Sequence, residues 1–191
     1  MLLTDVPFVP FEKIPRWSNQ YIVITEKIDG TNASIFINEA CDDLLAASRS
    51  GWITPDKDNY GFAKWVEANR EALLKLGKGH HFGEWWGFRI QRSYNMKEPV
   101  FSLFNTMRWS TPEQKERLDA SPCRLVPILY EGPFSETAID DCMKRLETEG
   151  SVASPGFQNP EGIVIYSHMM KQMFKKTIGF DGHKGEVNDT H

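Results

Sequence analysis

Net positive charge is missing from this chain: 22 Lys plus Arg stand against 26 Asp plus Glu, a formal balance of −4. Bulk electrostatic attraction is therefore not available for holding a polyanion, and any phosphate-rich partner must be met by a local patch. Cysteine is scarce as well. Cys41, Cys123 and Cys142 are odd in number and form no CxxC pair, so neither a disulfide framework nor a four-ligand zinc site can be drawn, and a reducing, cytoplasmic setting is expected. No HExxH spacing occurs, and His80-His81, His168 and His183 are adjacent or isolated, which argues against a zinc enzyme. No apolar run approaches the roughly 20 residues of a membrane span. The opening Met1-Leu2-Leu3-Thr4-Asp5 lacks the basic-then-apolar order of a signal peptide. Membrane insertion and secretion are not expected.

What is present is enough for a core. At 191 residues with 40% hydrophobic and 12% aromatic residues, the chain fits one domain spanning 1–191, since a domain takes about 150 residues. Tyr21 to Thr25 and Ala33 to Ile37 are rich in β-branched and aromatic residues and read as strands, joined by a polar turn that holds Gly30. Further strand-like runs lie at 44–49, 80–86, 100–104, 124–130, 161–166 and 172–178. Between Gly61 and Leu76 apolar positions recur at three- and four-residue steps, predicting one helix with Asn59 as its N-cap and Gly77 past its end. Helices are also expected near Thr111-Pro112-Glu113 and from a Ser135 cap to Gly150. Helices interrupt strands without regular alternation, so the expected class is α+β with mostly antiparallel sheet.

The chemistry concentrates at Thr25-Glu26-Lys27-Ile28-Asp29-Gly30-Thr31-Asn32. A lysine sits where a strand gives way to a turn, and residues 27 and 29 project to one side in extended geometry. Such an amine can attack phosphorus once desolvation, a neighbouring cation or a metal removes its proton. A solvated surface hairpin fits Lys-x-Asp-Gly taken alone. Five further segments follow it in order: Ser48-Arg49-Ser50-Gly51, Phe82-Gly83-Glu84-Trp85, Val100 to Asn105, Glu161-Gly162-Ile163-Val164 and Phe174-Lys175-Lys176.

Together these segments resemble motifs I, Ia, III, IIIa, IV and V of the covalent nucleotidyltransferase superfamily, which holds the ATP-dependent ligases and capping enzymes. The likeness runs over about residues 8 to 185. Asn32 at the end of the first motif and Lys13-Ile14-Pro15-Arg16 before it resemble the phage and RNA-editing type of RNA ligase. The resemblance implies a nucleotidyltransferase, ATP-grasp-like ligase fold with the nucleotide pocket between its sheets. It implies ATP and Mg²⁺ (or Mn²⁺) as cofactors, and nucleic acid, RNA ahead of DNA, as partner. Lys27 would carry AMP, with Asp29, Glu84, Glu161, Lys175 and Lys176 as catalytic companions. Glu26, Asn32, Arg49, Glu84, Phe104, Lys175 and Lys176 would contact the nucleotide, and Asp29, Glu84 and Glu161 would hold the metal. A minimal DNA ligase, a GTP-using capping enzyme and a non-catalytic binding module with the same fold remain as alternatives.

Two features depart from the superfamily pattern. Asn105 replaces the usual Asp after the motif IIIa aromatic, and Lys175-Lys176 are adjacent where motif V lysines alternate. Strand alternation sends adjacent lysines to opposite faces, so one of them, Lys175 with Thr177 beside it, is expected to face the phosphate. No oligonucleotide-binding barrel or zinc module is expected after motif V. Substrate grip would then come from Arg89, Arg92, Lys97 and Arg108 interleaved with Phe88, Tyr94 and Trp109, or from a partner protein.

Overall fold

The computed structural model describes residues 7, 9–14 and 20–179. Pro15 and Arg16 of the approach segment, the first five residues, His183 and the tail from Lys184 lie outside the described residues. In chain order the elements are β1 (Tyr21–Lys27), β2 (Thr31–Ile37), β3 (Leu44–Ser48), β4 (Gly51–Ile53), α1 (Phe62–Ala68), α2 (Arg70–Leu74), β5 (Gly79–Gly87), β6 (Pro99–Leu103), α3 (Pro112–Asp119), β7 (Arg124–Leu125), β8 (Ile128–Pro133), α4 (Glu136–Glu149), β9 (Gly162–Ser167) and β10 (Gln172–Thr177). They form two sheets, a four-stranded one ordered β10-β9-β1-β8 and a six-stranded one ordered β4-β3-β2-β5-β6-β7. All pairings are antiparallel except β6 with β7, so the α+β expectation holds.

Each sheet buries one face beneath helices. Ile35, Ile37, Trp85 and Phe101 of the large sheet pack with Phe62, Val66 and Leu73 of α1 and α2. Ile22, Ile24 and Ile163 of the small sheet pack with Cys142, Met143 and Leu146 of α4. A third cluster, Ile28, Trp86, Tyr94 and Val126, fills the seam where the chain passes between the sheets. The helix starts obey local chemistry: Thr111 and Gln114 form a reciprocal capping box and Ser135 Oγ accepts from the Ala138 amide.

Three expectations are corrected. The helix read from Gly61 to Leu76 is two short helices broken at Asn69, whose φ of −110° leaves helical geometry and whose side-chain amide donates to the Trp65 carbonyl at 2.7 Å. Asn59 does not cap it; the Asp58 carboxylate accepts from the Ala63 and Lys64 amides at 2.7 and 3.1 Å, while Asn59 turns to the Thr31 hydroxyl. The single strand read at 124–130 is divided by Pro127, which lacks an amide hydrogen for a ladder. The Val126 amide donates to Leu103 in the large sheet, and the Pro127 carbonyl accepts from Glu26 in the small one.

Candidate active site

Lys27 is the last residue of β1 and lies opposite Gly162 of β9, so the strand pairing itself brings Glu161 beside it. The Lys27 Nζ donates to Glu161 Oε2 at 2.6 Å, with both side chains about four-fifths buried, at 24% and 18% exposure. Gly162 is required here on two counts. Its φ is +147°, and a Cβ would collide with the Lys176 carbonyl oxygen and lie 2.8 Å from the Thr177 Cα. The absence of a side chain lets β10 close over the lysine.

The turn after Lys27 is pressed against β5. A Cβ on Gly30 would strike the Trp85 carbonyl and sit 2.7 Å from the Trp86 Cβ, and that approach delivers the Gly30 amide to Glu84 Oε1 at 3.0 Å. Glu84 is 7% exposed. Its second oxygen accepts from the Asn32 side-chain amide at 2.9 Å, and the Asn32 oxygen in turn accepts from Arg49 Nε and Nη2 at 3.1 and 2.6 Å. Burial pushes the Glu84 carboxyl up to about 7, and the Glu161 charge adds to the rise. The Lys27 cation and the Gly30 and Asn32 donors oppose it. Lys27, Glu84, Glu161, Asn32 and Arg49, drawn from five segments, thus share one electrostatic neighbourhood.

Strand register separates the two adjacent lysines of β10. Lys175 opposes Val164, which opposes Thr25; Thr177 opposes Gly162, which opposes Lys27. Directly opposed residues share a face, so Lys175 and Thr177 stand on the Lys27 side. Lys176 opposes Ile163 on the helix side, and its Nζ donates to Asp140 of α4 at 2.9 Å. Phe104 continues β6 on the Glu84 face and is 37% exposed, free of the core clusters. Asn105, the departure from the family pattern, accepts from the Arg108 amide and caps a 3-10 turn at Thr106–Trp109.

Several expected site residues lie elsewhere. Glu26 alternates away from Lys27 and is 1% exposed, its oxygens taken by the Ser151 hydroxyl at 2.6 Å and the Val152 and Ala153 amides at 2.8 Å. It anchors a loop and does not reach the pocket. Asp29 pairs with Arg92 Nε at 2.9 Å and so is drawn off the expected metal trio; among the described residues no group of three His, Cys, Asp or Glu is gathered for a metal. The basic-aromatic surface around Arg92 does not assemble either. Tyr94 and Trp109 are core residues at 0% and 5% exposure, and Arg92 belongs to the site.

Arg92 and Tyr94 are the site residues that sequence reading missed in these roles. Arg92 Nη1 donates to the carbonyls of Asn159 and Pro160 at 3.0 Å, and the Tyr94 hydroxyl accepts from the Asp29 amide at 2.9 Å. They come from a segment in which Arg89, Gln91, Ser93, Tyr94 and Asn95 all have φ between 45° and 60°. Such left-handed, non-glycine backbone is costly and persists only where surrounding contacts impose it. Ile90 and Tyr94, each at most 1% exposed, supply those contacts.

Comparisons with known proteins bear on the family and the fold. A family model described as RNA ligase matches residues 20–177. Comparison with curated protein sequences returns no significant match. Among solved structures, a Naegleria gruberi RNA ligase variant with ATP and Mn matches at 21% identity with a TM-score of 0.58, covering 84% of this chain and 50% of that one. A second variant of that ligase, also with ATP and Mn, matches at 20% identity and a TM-score of 0.62, and the same ligase with PPi at 20% and 0.59, each with the same 84% and 50% coverage. The likeness is one of fold, and the chain spans about half the length of those structures.

Proposed function

Since the chain belongs to the RNA ligase family, we propose that it is an ATP-dependent RNA ligase working through a covalent lysyl-AMP. The observation that carries this reading is the Lys27 amine, held 2.6 Å from Glu161 at a strand end and facing the buried Glu84. The Lys27 nitrogen bonds to the α-phosphorus of ATP as the bond to the bridging oxygen of pyrophosphate breaks. Its ammonium must first lose a proton, and Glu161 is the carboxylate hydrogen-bonded to it. Lys175, on the Lys27 face by register, offers positive charge to the phosphate oxygens as charge grows on them. Asn32 and Arg49 orient the nucleotide, and Phe104 offers a ring for adenine to stack on. AMP then moves to a 5′-phosphate end, and a 3′-hydroxyl displaces it to seal the strand.

A divalent cation fits this donor set in reduced form. Magnesium keeps several waters and takes one or two carboxylates, which suits Glu84 and Glu161 without Asp29. When bound, such an ion supplies positive charge that stabilises the reacting phosphate and weakens the hold of Lys27 on its proton. We take residues 1–191 to act as one adenylyltransferase domain in the cytoplasm, with RNA grip supplied by the domain itself or by a partner protein.

The test is incubation of the protein with ATP labelled at the α-phosphorus and magnesium, followed by denaturing electrophoresis. An acid-labile, alkali-stable label on the wild-type chain, absent from Lys27→Ala, is the expected result. No label under any divalent metal removes the reading. Nicked RNA, nicked DNA and single-stranded RNA offered in parallel then distinguish RNA from DNA sealing.

A further inference from the structure

The strand face that carries Glu84 does not end with it. Alternation along β5 puts Phe82 and then His80 on that face, register places Phe36 of β2 opposite His80, and Trp52 of β4 stands at the outer edge. The other face of the same strands is buried under α1 and α2, whereas Phe82 and Trp52 are 58% and 56% exposed. Their rings are organised. His80 lies nearly parallel to Phe82, with centroids 5.5 Å apart at 10°, and to Trp52 at 6.3 Å and 22°. Phe36 packs against His80 at 4.8 Å and meets Trp52 edge-on at 6.3 Å. Exposed aromatic surface of this extent, in a row and on one face, marks a binding site.

Two further observations choose the occupant. First, the row is continuous with the candidate reacting centre, since two residues along a strand advance about 7 Å and Phe82 and His80 are two and four residues from Glu84. Second, the same face carries arginines with no acidic partner. Arg49 bonds only to Asn32, and the exposed Arg124 opposes Ser102, the cross-strand neighbour of Glu84. Of the other described arginines, Arg70, Arg92, Arg117 and Arg145 are each matched to a carboxylate, while Arg89 and Arg108 lie over the Phe88 and Trp109 rings. Flat rings leading away from a phosphate-transfer site, flanked by unmatched guanidinium groups, suit bases strung on phosphates.

We propose that Phe36, Trp52, His80 and Phe82 form a stacking platform for two or three unpaired nucleotides of the RNA end being joined. This rests on the ligase reading for the identity of the strand. The platform recognises bases by their faces and so is tolerant of sequence; it acts on RNA grip and leaves the attack of Lys27 on ATP alone.

The test uses the full chain, Trp52→Ala, Trp52→Phe and Phe36→Ala, with a fluorescein-labelled single-stranded decaribonucleotide followed by anisotropy and lysyl-AMP labelling followed in parallel. Trp52→Ala and Phe36→Ala are expected to weaken RNA binding at least about fivefold each, on the scale of stacking one base. Trp52→Phe is expected to retain most of the affinity and all three variants to label with AMP at the wild-type rate. Unchanged RNA affinity in both alanine variants overturns the platform, as does loss of AMP labelling, which would assign the rings to the nucleotide pocket. A wild-type dimer that Trp52→Ala converts to monomer with RNA affinity intact also overturns it, because the face would then join copies of the chain. If the wild-type chain takes no AMP label, the ligase reading fails by itself, and the anisotropy still decides the platform.

Discussion

Arg92 holds Asp29 at 2.9 Å through Nε and, with the same guanidinium, holds the Asn159 and Pro160 carbonyls at 3.0 Å through Nη1. One side chain therefore ties the turn after Lys27 to the segment that delivers Glu161. The brace thus acts beside the β1–β9 pairing that sets Lys27 opposite Gly162.

Replacing Arg92 by Ala is expected to slow lysyl-AMP formation at saturating ATP by about tenfold or more, with a smaller change in the ATP concentration needed. Removing the partner of a partly buried carboxylate also costs about 1–3 kcal/mol of stability. Arg92→Lys restores the charge and not the fork of donors, so it is expected to recover stability more than rate. Single-turnover labelling beside urea unfolding separates the two.

Glu84 makes stability depend on pH in a defined sense. Its carboxyl is raised from 4.5 to about 7, so over that window the folded chain keeps a proton the unfolded chain has lost. Its contribution therefore falls as pH rises from 4.5 to 7 and is lost above, amounting to about 3 kcal/mol. His81, pushed down to about 4 by burial, works the other way between about 4 and its ordinary 6.5. Glu84→Gln removes only the first effect: urea unfolding at pH 5 and pH 8 is expected to show the variant gaining on the wild type by about that amount, while AMP labelling collapses.

Lys175 and Lys176 offer a test of register. Lys175→Ala is expected to reduce labelling or sealing by about a hundredfold, since a cation aimed at the transferring phosphate is lost. Lys176→Ala removes an exposed pair with Asp140 and is expected to change stability by less than about 1 kcal/mol and labelling by less than twofold. Equal effects would contradict the face assignment.

Glu26→Ala strips the partner from the Ser151 hydroxyl and the Val152 and Ala153 amides. A loss of about 2–4 kcal/mol is expected from leaving these buried donors unmet. Activity per folded molecule should stay near wild type at low temperature. Thermal melts and labelling at 15 °C check both halves.

What the sequence made legible was local. The helix start at Thr111-Pro112-Glu113, the Ser135 cap, the Gly77 stop and the alternation that parts Lys175 from Lys176 each depend on neighbours within a few residues. Lys27, Glu84 and Glu161 were brought together by the resemblance of an ordered set of motifs, not by any local pattern. Arg92 and Asp29 are 63 positions apart and no periodicity links them, so the brace was invisible. Glu26 sits beside the nucleophile, and only the burial of its face reveals its partners. The helix break at Asn69 came from a side chain competing for a carbonyl, which apolar periodicity does not register. Pro127 carried the one overlooked local signal, a residue unable to sit inside a continuous ladder.

Between residues 20 and 179 the backbone passes from one sheet to the other only twice, at Ile28 to Gly30 and at Val126-Pro127, and Ile28 and Val126 pack in the same small cluster. The two crossings therefore lie side by side, and Arg92, Tyr94 and Ser154 add ties between the same two halves of the chain. Lys27 adjoins this seam, whereas Trp52 stands on the edge strand of the large sheet. The bond-forming amine is thus rooted where the two sheets are fastened, and the aromatic row runs outward from that anchorage.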